Sequence, residues 1–210
     1  MTRLETVEDT RWLLDLTAEH EFVRGVVGWA DLSDPGILDE YQRHQKFRGV
    51  CWPGAEDVDF SEVVRRGLTL DLPPDLDAAL RIAQRYADLR IAIDHVGRPS
   101  LIRWGPEEWA KKIESLAQAP NVFVKISGLI TDAPTEWSAA QFQPYVRHVL
   151  RTFGPDRVMY GSDWPTYLPV GTWKEALAAF TQAIGAQTME VREQLLGGTA
   201  MRFYGQDIRV

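Results

Sequence analysis

A chain of 210 residues with 45% apolar side chains has the material for one sizeable core, and residues 1–210 are expected to form a single domain. A formal charge of −7, with acids and bases interspersed, argues against nucleic acid or an anionic membrane as partner. Cys51 stands alone, Met1–Glu5 opens no apolar leader, and no apolar run reaches membrane length, so a cytoplasmic setting is expected.

Helix and strand signals alternate along the chain. Thr6 and Asp9 form a capping pair ahead of Trp12, Leu13, Leu14 and Leu16, which predicts a helix to His20. A strand is predicted over Phe22–Leu32, a short helix over Ile37–Gln45 and a second strand over Phe47–Trp52. After a thin crossover, with only Phe60–Arg66 left for a helix, come a strand at Leu68–Leu72 and a helix carrying Leu76, Ala79, Leu80 and Ala83. Leu89–Val96 is a strand signal closed by Gly97-Arg98-Pro99, and Trp109, Ile113, Leu116 and Ala117 mark the face of the next helix. Asn121–Gly128 is a β-branched strand, followed by a strongly periodic helix from Phe142 to Phe153 that Gly154-Pro155 stops. Val158–Tyr160 is the last strand, with a helix through Trp173, Ala176, Leu177, Phe180 and Ile184 behind it. A final helical segment is expected to close at Gly197-Gly198, before a short tail, Thr199–Tyr204. Six strand–helix units imply a parallel α/β sheet, either an incomplete (β/α)8 barrel or a doubly wound open sheet; a full barrel takes about 250 residues.

In either architecture the carboxyl ends of the strands carry the chemistry. Asp163, in Gly161-Ser162-Asp163-Trp164-Pro165, stands at such an end and is a candidate general base or metal ligand; it could equally be a turn aspartate satisfying loop N–H groups. His95 follows Asp94 at another strand end, where it could polarise a carbonyl, shuttle a proton, bind a metal or simply pack. Lys125 is a charge inside a β-branched run: it could hold a substrate carboxylate, or pair with an acid of a neighbouring strand. Arg98 could clamp an anion or sit in its turn for no such reason. Of the other histidines, His20 falls at a helix end, His44 on a helix and His148 on a polar helix face. No His-x-His, His-Glu-x-x-His, Cys-x-x-Cys, phosphate-binding glycine loop or Gly-x-Ser-x-Gly is present.

Seven stretches together carry a resemblance: Thr6–Leu14 (TVEDTRWLL), Gly25–Leu32 (GVVGWADL), Phe47–Val50 (FRGV), Ile93–Pro99 (IDHVGRP), Val124–Leu129 (VKISGL), Gly154–Pro165 (GPDRVMYGSDWP) and Gly197–Gly205 (GGTAMRFYG). In this order they resemble the amidohydrolase-related family, in its branch of sugar-lactone and pyrone-dicarboxylate lactonases. The resemblance implies a (β/α)8 barrel and a hydrolase acting on a lactone. It makes Asp163 the aspartate that activates water or holds a metal, and His95 the histidine of the sixth barrel strand. It also implies departures: the chain begins after the strand that carries the family's His-x-His pair, the second strand is missing too, and Cys51-Trp52 replaces Arg-His.

A divalent metal such as zinc is thus implied by the resemblance, with His95 and Asp163 as ligands if one binds, although the chain offers no complete ligand set. The expected substrate is a small lactone or carboxylated sugar-acid derivative, with Lys125, Arg98, Trp164, Trp52 and Ser162 as the residues that would contact it. Two other readings stay open. One is a truncated barrel with no enzymatic role, self-associated as a homo-oligomer through an open sheet edge. The other is a decarboxylase on the same scaffold.

Overall fold

A computed structural model of the protein describes residues 6–54, 58–99, 106–131, 133 and 136–205; the opening segment 1–5 and part of the thin crossover lie outside the described residues. Six strands, β1 (Val26–Gly28), β2 (Phe47–Cys51), β3 (Thr69–Leu72), β4 (Ile91–Ile93), β5 (Val122–Ile126) and β6 (Val158–Tyr160), form one sheet in sequential order. Every neighbouring pair is parallel. A doubly wound sheet would reverse its order at a switch point, and this one never does. The result is a curled half-barrel, six βα units of an incomplete (β/α)8 architecture.

The helices are α1 (Val7–Ala18), α2 (Pro35–Tyr41), α3 (Ser61–Arg65), α4 (Leu76–Arg85), α5 (Pro106–Ala117), α6 (Ala139–Phe153), α7 (Trp173–Ile184), α8 (Met189–Glu193) and α9 (Thr199–Phe203). Their starts follow local chemistry. The Thr6 hydroxyl accepts the Asp9 N–H at 3.1 Å, Asp75 accepts from Ala78, and Thr172 with Glu175 closes a reciprocal capping box on α7. Alternation along the strands then separates two faces. Leu70, Leu72, Ile91, Ile93, Val122, Val124, Ile126 and Val158 pack outward into the main core with Leu76, Ile113, Leu116, Val146 and Val149 of the helices. Ala92, Phe123 and Met159 point to the concave face, where Phe203 of α9 packs on them.

Four local expectations are corrected. The first strand is much shorter than Phe22–Leu32. His20 and Val23 close a turn, and past Gly28 the Trp29 carbonyl accepts the Thr10 and Tyr41 hydroxyls, which leaves it no ladder role. Gly28 is essential to that approach, since a Cβ there would stand 2.3 Å from Thr10 Cγ2. The short helix likewise ends at Tyr41, so His44 lies in a turn, and His148 is half-buried against Trp109 rather than on a polar face.

The fourth correction matters for the site. Gly197-Gly198 does not end the helix; a π-turn, Gln194–Gly198, carries the chain on into α9. Gly198 keeps helical dihedrals (φ −56°, ψ −45°) and so makes no left-handed cap, with the tip of the Gln194 side chain 2.9 Å from where its Cβ would be. Thr199 then anchors α9 by donating its hydroxyl to the Pro155 carbonyl at 2.9 Å. What looked like a tail is a structural cover for the concave face.

Candidate active site

Past the end of β4 the backbone takes a shape that side chains resist. His95, Val96 and Arg98 have φ of 55, 57 and 43°, all left-handed, and Val96 is β-branched. Each such residue costs roughly 1–3 kcal/mol and persists only where its surroundings hold it. Here the Trp109 indole donates to the Val96 carbonyl at 3.1 Å, and Gly97 sits against Leu76 and Trp109 without room for a Cβ. Past β6 the same thing recurs: Asp163 has φ 62°. Both candidate residues are thus presented by strained turns at the carboxyl ends of parallel strands.

His95 rests on the end of β5. Ser127 Oγ lies 3.0 Å from its Nδ1 and accepts its backbone N–H at 3.2 Å. Gly128, with φ 67°, makes the space, for a Cβ there would be 2.8 Å from Nδ1. Burial pushes the imidazole pKa down, against the opposing pull of the Asp94 and Asp163 carboxylates. Asp163 is therefore near enough for its charge to be felt at the ring. Its Oδ2 accepts the Thr131 hydroxyl at 2.6 Å, which orients the carboxylate.

A depressed histidine pKa makes stability depend on pH in a definite direction. Below its usual value of about 6.5 the unfolded chain binds the proton first. The contribution of neutral His95 is therefore fully present above about pH 6.5 and is lost as the pH falls towards the folded-state value. Urea midpoints are expected to decline between about pH 7.5 and 5.5, and His95→Asn, which tolerates the left-handed backbone, should flatten that decline. An unchanged slope in the variant would count against this assignment.

Lys125 lies on the concave face of β5. Its Nζ is 2.5 Å from Asp71 Oδ2 of β3 and 2.9 Å from Asp94 Oδ1, and all three side chains are largely buried. The Tyr204 hydroxyl, delivered by α9, donates to the Asp71 carboxylate at 2.9 Å. Burial alone would lower the lysine, but Asp71 and Asp94 outweigh it and hold the ammonium well above its ordinary range. Burial also pushes the Asp71 carboxyl up, in spite of Lys125.

The remaining candidates are scattered. Arg98 joins His95 in lining a cleft of ≈ 250 Å³, walled by Val96, Leu129, Phe142 and Tyr145. Trp52 stacks edge-on against Phe60, the Ser162 hydroxyl accepts the Trp164 N–H at 3.2 Å, and Trp164 is exposed; these three do not line that cleft. Ser127, Thr131, Asp71 and Tyr204 were not singled out from sequence. Asp71 had a signal: an acid between Leu70 and Leu72 in an apolar strand needs a buried partner, as Lys125 does.

A catalytic zinc takes three protein ligands. Among the described residues no three His, Cys, Asp or Glu side chains gather into such a set. His95 and Asp163 do not suffice alone. No helix among the described residues is long and apolar enough to cross a membrane.

A family model described as "Amidohydrolase" matches residues 1–206. The chain belongs to the amidohydrolase family. This amidohydrolase is 34% identical to the L-fucono-1,5-lactonase of Burkholderia ambifaria, over 97% of its own length and 78% of that protein. Among solved structures, an amidohydrolase of Burkholderia multivorans with bound zinc superposes with a TM-score of 0.83 at 25% identity, covering 96% of this chain and 80% of that one. A putative 2-pyrone-4,6-dicarboxylic acid hydrolase of Pseudomonas putida gives 0.77 at 25% identity, covering 96% and 79%.

Proposed function

We propose that this amidohydrolase opens a cyclic ester, a sugar lactone or a related ring, with water activated by Asp163. The observation that carries the reading is the pairing of His95 and Asp163 at matching strand ends, both in left-handed backbone, with the carboxylate's charge acting on the imidazole. The likeness to a fuconolactonase supports a lactone as the substrate class. Thr131 occupies one oxygen of Asp163, so Oδ1 is the oxygen left to take a proton from water. Water oxygen adds to the carbonyl carbon, His95 stabilises the oxyanion by a hydrogen bond, the ring C–O bond breaks, and the leaving alkoxide recovers the proton from Asp163. Arg98 would meet a polar or carboxylate substituent at the mouth of the adjoining cleft. Lys125 is committed to Asp71 and Asp94, so its role is to hold the strand ends that carry the site.

Hydrolysis of a lactone at neutral pH yields a carboxylate and a proton. Purified protein is expected to acidify a weakly buffered indicator solution containing five- and six-membered sugar lactones. No acidification above the blank across that panel, or release of carbon dioxide from an aromatic acid in its place, would sink the reading.

A further inference from the structure

Two contacts share a single oxygen. Ser127 Oγ accepts the backbone N–H of His95 and also lies within hydrogen-bond distance of Nδ1 on the same residue. A backbone N–H can only donate, so the first contact leaves Ser127 with its own proton to place. Ser127 is 6% exposed, and a buried hydroxyl proton without an acceptor is costly. Among the described residues Nδ1 is the acceptor it reaches. Turning the ring over would bring a carbon to that position and strand the proton. Gly128 fits the ring as it stands, with the space for a Cβ taken up by Nδ1.

We infer that Ser127 is a positioning residue that locks His95 into the tautomer with its proton on Nε2. The Nδ1 lone pair is occupied by the serine, which removes His95 from contention as the base. Nε2–H makes no hydrogen bond within the described chain and is left to donate to an ester carbonyl oxygen. The use of that donor rests on the lactone reading; the tautomer itself does not. A histidine that bound a metal through Nε2 would need the opposite tautomer, with Nδ1–H donating to Ser127.

Nitrogen-15 spectra of histidine-labelled protein, taken at about pH 8 and assigned with His95→Asn, read the tautomer directly. Nδ1 of His95 is expected at the position of an unprotonated ring nitrogen and Nε2 at that of a protonated one. In Ser127→Ala both signals should move towards the averaged values of the exposed His20, and Ser127→Thr, which keeps a hydroxyl, should restore them. On a turned-over lactone, Ser127→Ala is expected to lower kcat about five- to tenfold with KM changed less than about twofold, the scale of one lost orienting hydrogen bond. A protonated Nδ1 in the wild-type protein overturns the inference without any variant. So do unchanged shifts in Ser127→Ala. Expected shifts in a protein that hydrolyses no lactone would sink the proposed function alone.

Discussion

Lys125→Met is expected to cost about 3–5 kcal/mol of folding stability, because it leaves Asp71 and Asp94 buried against each other with no cation. That is a large share of the roughly 5–15 kcal/mol by which a domain is stable, so part of the variant should be unfolded at 37 °C. Desolvating three charges is itself expensive, and the intact cluster need contribute little net stability. The informative comparison is therefore a double-mutant cycle. Asp71→Asn with Lys125→Met should lose less than the sum of the single changes, with a coupling of about 1–3 kcal/mol in urea titrations. Additive losses would mean the two side chains do not depend on each other.

Asp163→Asn is the second large effect. Asparagine keeps the shape and can still accept the Thr131 hydroxyl, but it cannot take a proton from water. The turnover number on a responsive lactone should fall about 10²–10⁴-fold, the usual contribution of a positioned general base. Thermal unfolding should change little, since an asparagine also tolerates the left-handed backbone at this position. Activity within about threefold of wild type would remove Asp163 from the reaction.

The architecture was legible because periodicity changes at each element and the punctuation is strong. Gly154-Pro155 does end α6, and Thr6 does cap α1 through the Asp9 N–H. The strand ends bearing His95 and Asp163 were visible for the same reason, each being an apolar run cut off by a turn. Less legible was anything that depends on the partner across a face. Lys125 announced a buried charge, but which acids meet it depends on the register of β3, β4 and β5, and on Asp94 continuing the line of β4. Tyr204 was hidden behind two glycines that signal a helix stop; Gly198 instead keeps helical dihedrals, and a π-turn carries the chain through it into α9. Ser127 and Thr131 are small hydroxyls of a common kind, and only the folded backbone turns them towards an imidazole and a carboxylate.

The buried cluster also restricts how this sequence can drift. Asp71, Asp94, Lys125 and Tyr204 come from stretches far apart in the chain, the first and the last separated by 133 in sequence. Losing Lys125 leaves two buried carboxylates with no cation, and losing Asp71 leaves the Tyr204 hydroxyl without its acceptor, so such a lone replacement should be harmful where a paired one is not. An apolar set of similar volume could fill the same space, but reaching it requires passing through the damaged singles. These positions should therefore vary together across related sequences or hold still together, and a lineage that keeps three of them while freely substituting the fourth would have had to repack the concave face.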